Sequence, residues 1–403
     1  MLRRQFLAAL TAPITAAALQ AVRPAKALHL KITGLKTFVV HVGGVNWVFC
    51  KVLTNQGLTG LGEGSITSKE ATLAQAIMEH ERYLVGKDPT EIELLWQALF
   101  RYPRWRGGPI LNSAISAVEI ALWDILGKAL DQPIYRLLGG AARRRIRLYK
   151  DVGSTVEAFE QAKSEGYTAA KSGFITVDNS LVRPAYAVRE AARKLQAVRK
   201  AVGDDFDIAI DAHGQLTTVM AVDFCTRIED LRPLFVEEPT QIEDLGELAH
   251  LRQKTKVPLA TGERSFTKWG FADFCSRHLV DYVQPDVCHA GGILEMKKIG
   301  TLAETYRVQM APHNPQSEVS TLASLHVDAT TPACTIQEFN PNRQPWIQDL
   351  FYGGAVKVKD GFAELPDRAG LGVDLDESVA AKHPYKPVSR PEYVFSDGGV
   401  ADH

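Results

Sequence analysis

Cysteine, charge imbalance and long apolar runs are all scarce in this 403-residue chain. The five cysteines (Cys50, Cys225, Cys275, Cys288, Cys334) are odd in number and scattered, with no C-x-x-C pair. That excludes a disulfide scaffold and leaves buried or incidental thiols. With 46 Lys and Arg against 47 Asp and Glu, the net charge of -1 offers no electrostatic footprint for nucleic acid or an anionic membrane surface. Neither is an expected partner. Past the first 27 residues no apolar run reaches the ~18 residues of a membrane span. What is present is ordinary globular composition, 45% hydrophobic and 23% charged, on a chain long enough for a large core.

The first residues, "MLRRQFLAALTAPITAAALQAVRPAKA", carry two arginines, an Ala-rich apolar stretch and Ala25-Lys26-Ala27, which has the A-x-A form of a cleavage site. No acid precedes His29. Residues 1–27 therefore read as an export signal. Arg3-Arg4 followed by Phe6-Leu7 resembles the twin-arginine class, whose cargo crosses the membrane folded, so a periplasmic location is expected.

From about Lys31 to Gly64, "TFVVHV", "NWVFCKVLT" and "GLTGLGEG" are β-rich runs separated by Gly and Asn, the pattern of an antiparallel meander. "SAISAVEIALWDILGKAL", Ser113 to Leu130, has helical apolar spacing and little polar face, so it is expected to be buried. Residues 28–145 form an expected α+β unit. The rhythm then changes to short apolar strands alternating with helix-length segments: "RLYKDV", "TAAKSGF", "DIAIDAH", "LFVEEP", "PLATGE", "DYVQPD", "VQMAPH" and "CTIQEF". Eight parallel β/α units suit a closed barrel, here a (β/α)7β TIM-like barrel over residues 146–345. The segment 346–403 is expected to pack back on the first unit.

In such a barrel, catalytic groups sit at the C-terminal ends of strands. Three strands end in acid: Asp211, Glu237 in "VEEP" and Glu263 in "TGER", each 26 residues from the next. Carboxylates from adjacent strand ends converge and repel unless protonated or joined by a cation. A hard divalent ion such as Mg²⁺, which takes oxygen ligands and keeps positions open for water or substrate, answers that repulsion. Glu238 competes with Glu237, because one residue of strand drift reverses which side chain points inward. His213, two residues after Asp211, and His313 in "MAPHNP" lie at comparable strand ends, and Asp286 in "QPDVCHAGG" offers a carboxylate to His313. An acid bonded to one ring nitrogen fixes the tautomer and raises the basicity of the other. His289, past its strand end, reads as structural.

"DAH", "VEEP", "TGER", "QPD", "HAGGI" and "PHNP", in this order on a barrel behind an α+β unit, resemble the enolase superfamily and, within it, the acid-sugar dehydratases. The resemblance spans nearly all of the chain past residue 27, including "RGGPILNSAISAVEIALWDILGKAL" and "GLGVDLDE". It implies Mg²⁺ held by Asp211, Glu237 and Glu263, and a sugar-acid substrate whose carboxylate meets the ion. It further implies His313, paired with Asp286, as the base for the C2 proton, and His213 as the acid for the departing 3-hydroxyl. Glu338 in "IQEF" matches the position that hydrogen-bonds the substrate carboxylate. Galactonate heads the candidate aldonates and aldarates, and a homo-oligomer is expected.

Racemase and cycloisomerase relatives carry a second lysine where this chain has Gly173, two past Lys171 in "AAKSGF", which disfavours two-base racemisation. Lys171 is read either as a substrate contact or as a structural ion pair. "RYPRWRGG", Arg101 to Gly108, is the candidate lid, with Trp105 and Arg106 suited to a polyol, and Asn314 in "PHNP" is a candidate specificity contact. The rivals are an epimerase or cycloisomerase on the same scaffold, an exported sugar-acid binding protein that has lost catalysis, and a zinc hydrolase. The last would need more histidine ligands than this oxygen-rich set provides.

Overall fold

The structure is a computed structural model and describes residues 28–175, 183–341, 344–353, 355–390 and 392–402. The twin-arginine stretch lies outside them. Strands β1 (Ile32–Val42), β2 (Val45–Thr54) and β3 (Thr59–Glu63) form an antiparallel meander. Gly43 and Gly44 join the first two at φ of 55° and 116°, the positive values a two-residue hairpin loop demands. Helices α1 (Glu70–Glu79), α2 (Glu81–Leu84), α3 (Ile92–Arg101) and α4 (Pro109–Ala129) follow. By length and composition α4 is apolar enough to cross a membrane, but it is buried on nearly every side in this fold. The glycines of "GLTGLGEG" show why β3 fits against it. A Cβ at Gly60 or Gly62 would stand 2.0 Å from the carbonyl oxygen of Ala121 or Ala117, and one at Gly64 2.5 Å from that of Ser113. Strand period two meets helix period four, backbone on backbone.

After α5 (Ile134–Leu137) come eight parallel strands: β4 (Arg145–Asp151), β5 (Ala169–Gly173), β6 (Asp207–Asp211), β7 (Phe235–Glu237), β8 (Leu259–Thr261), β9 (Tyr282–Val283), β10 (Gln309–Met310) and β11 (Gln337–Phe339). Neighbours pair in chain order, and β11 returns to β4. A bridge between Met310 and Cys334, with the Thr335 amide donating to the Met310 carbonyl at 3.0 Å, closes the ring. Among the described residues an α-helix lies between each pair of strands: α6 (Val156–Ser164), α7 (Pro184–Val202), α8 (Thr218–Ile228), α9 (Leu245–Lys254), α10 (Thr267–Ser276), α11 (Ile293–Thr305) and α12 (Glu318–Thr330). This is the (β/α)7β barrel, and each of the eight strand segments quoted above lies on it.

The barrel interior is packed rather than open. Tyr149, Ala169, Ala209, Phe235, Ala260, Tyr282, Ala311 and Ile336 make one buried layer, large aromatic rings filling the space that alanines leave. In the C-terminal segment are β12 (Phe351–Tyr352), β13 (Val358–Lys359), β14 (Phe362–Glu364), β15 (Asp374–Leu375) and α13 (Glu377–Ala380). The β13–β14 hairpin extends the barrel sheet by pairing with β4, an addition to the expected packing on the first unit. Further along, the buried Asp124 of α4 accepts the amides of Leu61 and Leu371, both at 2.9 Å, and so joins the tail to the meander. All five cysteines are buried, free thiols.

Candidate active site

The interior layer dictates the site through strand pleat alone. Two residues on from Ala169, Ala209, Phe235, Tyr282, Ala311 and Ile336 stand Lys171, Asp211, Glu237, Gln284, His313 and Glu338. Side chains at i and i+2 share a face, so a packed layer below sends this polar set to the C-terminal mouth. Asp211, Glu237 and Glu263 bring ligand oxygens within 4.8 Å of one another. Glu237 is fully buried and belongs to that group; Glu238, also buried, takes left-handed backbone (φ 42°) and accepts from Arg264 Nε at 2.8 Å. The choice within "VEEP" therefore falls on Glu237.

Two aspartates shape the loops that leave their strands. Asp211 Oδ1 accepts the His213 amide at 3.0 Å, and Asp286 Oδ1 accepts the Cys288 amide at 2.7 Å, each two residues on. The first turn puts His213 at φ 49°, a conformation uncommon for a residue with a Cβ and held here by its surroundings. Its Nε2 lies 3.3 Å from Asp211 Oδ2, and its side chain is 49% exposed. His313 differs in burial and in the carboxylate behind its ring. Its Nδ1 is 2.7 Å from Asp286 Oδ2, its Nε2 is 3.3 Å from Glu263 Oε2, and its side chain is largely buried. The two histidines thus flank the carboxylate row from opposite ends.

Lys171 makes ion pairs at the floor of the mouth. Its buried ammonium lies 2.9 Å from Glu237 Oε1, 2.9 Å from Glu338 Oε1 and 3.3 Å from Asp211 Oδ2. Burial disfavours the charge, but those carboxylates outweigh it and hold the Lys171 pKa well above the usual lysine range. Glu338 Oε2 is in turn bound by the Asn314 amide at 2.8 Å. Gly173, at the second-lysine position, has room for a Cβ, which among the described residues would meet the Asp211 carbonyl oxygen at 3.7 Å.

A divalent ion fits this set. Asp211, Glu237 and Glu338 place three carboxylates around one ammonium, Glu263 adds a fourth beside His313, and the buried Oε2 of Glu237 has no hydrogen-bond donor among the described residues. Burial, and then the neighbouring Asp211, push the Glu237 carboxyl well above its ordinary range, against the pull of Lys171. The cluster cannot keep its full charge unaided. Oxygen-only ligands with open positions are what Mg²⁺ prefers. At His313 burial opposes the charged ring, yet Glu263, Glu338 and Asp286 prevail and hold its pKa well above the usual histidine range. A cation held by Glu263 would reduce that pull and favour the ring as a proton acceptor.

Three residues expected to contact substrate have protein surroundings of their own here. Asn314 is buried, with Nδ2 donating to Thr321 Oγ1 at 2.8 Å and to the Glu338 carbonyl at 3.3 Å, so its side chain braces the loop after β10. Trp105 is 80% exposed, and Arg106 stacks over Phe100 at 5.5 Å. Among the described residues, no hydrogen bond or ion pair joins either to the carboxylates. Conversely, Gln316 is missing from the sequence reading. Its Nε2 donates to Asp286 Oδ2 at 2.7 Å, and its only signal was a place three residues beyond His313 in "PHNPQ".

A capped barrel with oxygen ligands across three adjacent strand ends, and a histidine beyond each end of the row, defines a cation-assisted enzyme of the enolase type. Residues 154–379 match the family model described as "Enolase C-terminal domain-like", and residues 22–139 match "Mandelate racemase / muconate lactonizing enzyme, N-terminal domain". The chain belongs to the mandelate racemase / muconate lactonizing enzyme family of the enolase superfamily. It is 35% identical over 384 residues to a D-galactonate dehydratase of Ralstonia pickettii, covering 93% of this chain and 100% of that one. To a D-galactonate dehydratase family member of Streptomyces bingchenggensis it is 36% identical over 392 residues, covering 89% and 95%. An enolase from Pantoea ananatis, solved with D-gluconate and Mg, has a TM-score of 0.87 at 29% identity, covering 93% of this chain and 100% of that chain. The 3,6-anhydro-D-galactonate cycloisomerase of Zobellia galactanivorans has a TM-score of 0.80 at 30% identity, covering 88% and 100%.

Proposed function

We propose that this enzyme dehydrates a sugar acid, D-galactonate first among the aldonates, to the 2-keto-3-deoxy acid. The hydro-lyase class rests on the dehydratase relatives. The observation that carries the mechanism is the pair of histidines at opposite ends of the row, one buried and carboxylate-backed, one half exposed. Mg²⁺ is the cofactor, which Asp211, Glu237 and Glu263 would hold; when bound it would supply positive charge for the substrate carboxylate, where charge develops as the C2 proton leaves.

His313 Nε2 takes the C2 proton, its other nitrogen fixed by Asp286. The electron pair of the C2–H bond moves toward the carboxylate to give an enediolate, whose collapse breaks the C3–O bond. His213 gives its proton to the departing hydroxyl, so water leaves and the enol becomes the ketone. Lys171, held by Glu237 and Glu338, keeps the charge of the pocket floor in balance. An epimerase or cycloisomerase is the rival reading, motivated by the Zobellia structure, but Gly173 leaves no second lysine to deliver a proton to the opposite face. The test is a screen of the Mg²⁺-loaded protein against aldonates and aldarates. A 2-keto-3-deoxy product is expected, and isomerised product without loss of water would replace dehydration.

We also infer, from Arg3-Arg4 and Ala25-Lys26-Ala27, that the enzyme is exported to the periplasm. N-terminal sequencing after cell fractionation checks it, and a cytoplasmic protein that still begins at Met1 rejects it.

A further inference from the structure

We propose that His289 and Gln316 are positioning residues for the proton-abstracting pair, held from the capping unit through Ser113; this rests on the roles given above to His313 and Asp286. Asp286 Oδ2 receives two donors at 2.7 Å, His313 Nδ1 and Gln316 Nε2, while Oδ1 receives the Cys288 amide. A carboxylate gripped from three directions cannot rotate, and the bond from His313 then fixes the ring plane that aims Nε2.

The network also fixes protons. Gln316 Nε2 has two hydrogens, and with one on Asp286 the other points to His289 Nε2, 3.3 Å away. His289 must accept there, so its proton sits on Nδ1 and is donated to Ser113 Oγ at 2.8 Å. With His289 Nε2 3.6 Å from Asp286 Oδ2, the ring stands too far to bond that oxygen itself. It acts through Gln316.

Ser113 is one of three side chains on a single face of α4 that grip the loop leaving β9. Three residues along, Ser116 Oγ accepts the Gly291 amide at 3.0 Å; three further, Glu119 accepts the amides of Ile293 at 2.7 Å and Leu294 at 2.9 Å. Gly292, at φ 91°, admits that carboxylate, since a Cβ there would stand 2.0 Å from Glu119 Oε2. The "HAGGI" motif is thus the seat of the capping helix, and its histidine carries the placement of that helix to the base.

The test compares the full-length parent, Gln316→Leu, His289→Leu and His289→Gln, each Mg²⁺-loaded. With whichever sugar acid the parent dehydrates, Gln316→Leu should lose kcat about 10- to 100-fold with KM changed less than about twofold, and C2 proton exchange should fall in step. His289→Leu should fall in the same sense. His289→Gln, which returns an acceptor near the position of Nε2, should recover most of the loss. Should Gln316→Leu fail to fold, Gln316→Met, which keeps the unbranched length and drops the amide group, takes its place. A second readout needs no turnover: the downfield ring proton of His313 in ¹⁵N-histidine-labelled protein, identified by its absence from His313→Asn, should shift or vanish in the Gln316 variant. Parental kcat with an unmoved resonance, or a loss confined to KM, overturns the proposal. A parent that turns over no sugar acid rejects the proposed function instead and leaves the resonance to decide the positioning.

Discussion

The two ends of the carboxylate row are built to different standards. Each histidine reaches a carboxylate oxygen at 3.3 Å, yet His313 is largely buried and bonded by an aspartate with donors of its own, whereas His213 is half exposed on a left-handed turn. A base that takes a proton from carbon needs one tautomer and one direction, which burial and a fixed carboxylate provide. An acid that protonates a leaving hydroxyl must be recharged after each turnover, and exposure to solvent permits that. The difference predicts which end tolerates change.

The hardest blow falls at the buried end. His313→Asn should abolish both dehydration and exchange of the C2 proton with deuterated solvent, a loss of roughly 10²–10⁴-fold. Rapid dehydration by this variant would reverse the assignment. At the exposed end, His213→Asn should lose dehydration by about 10²-fold while still exchanging the C2 proton, because that ring acts after the proton has gone. An exchange rate as low as that of His313→Asn would erase the distinction. Between the ends, Glu237→Gln should weaken Mg²⁺ binding at least about 10-fold by calorimetry, and Glu238→Gln, whose carboxylate answers to Arg264, much less. The opposite ranking would mean that the wrong member of "VEEP" was chosen.

The smallest effect concerns the support of the buried end. Glu63, at the end of β3, accepts from Ser65, from the side chain and amide of Ser317, and from the Ser320 amide, so it holds the start of α12 beside Gln316. Burial outweighs those bonds and pushes its carboxyl up to about 7. A pKa higher in the folded state than the ~4.3 of an unfolded glutamate means that the folded chain holds a proton the unfolded chain has lost. This group's contribution to stability is therefore full below ~4.3, declines as pH rises to about 7, and is flat above. Glu63→Gln should remove part of the fall in Tm between pH 5 and pH 8, on the order of a couple of degrees. An identical fall in both proteins would show that Glu63 does not titrate in this range.

The eight strands and the carboxylate row were legible because both follow from short-range rules. Alternation marks the strands, and the equal spacing of Asp211, Glu237 and Glu263 marks one β/α unit per ligand. Directions beyond the strand ends were not legible. His213 and Glu238 take positive φ, Asn314 turns to Thr321, and Lys171 has carboxylate partners from three other strands. None of these follows from local pattern, since each depends on groups distant in sequence. His289 read as structural for the same reason: its partners are Ser113, 176 residues earlier, and Gln316, 27 residues later. The stretch "RYPRWRGG" reads as a lid because Trp and Arg suit a polyol; that Arg106 stacks on Phe100, which itself stacks on Trp269 of α10, depends on a helix distant in sequence.

The buried thiols bear on where the chain can safely acquire its fold. Burial raises the Cys50 thiol to about 12 and those of Cys225 and Cys275 to about 11, so the folded protein offers an oxidant almost no thiolate from these three at neutral pH. The same chain unfolded in an oxidising compartment would expose five competing thiols, an odd number that guarantees at least one left over from every intramolecular pairing. Under the export proposed above, passage through the membrane in the folded state would deliver each sulfur already out of reach.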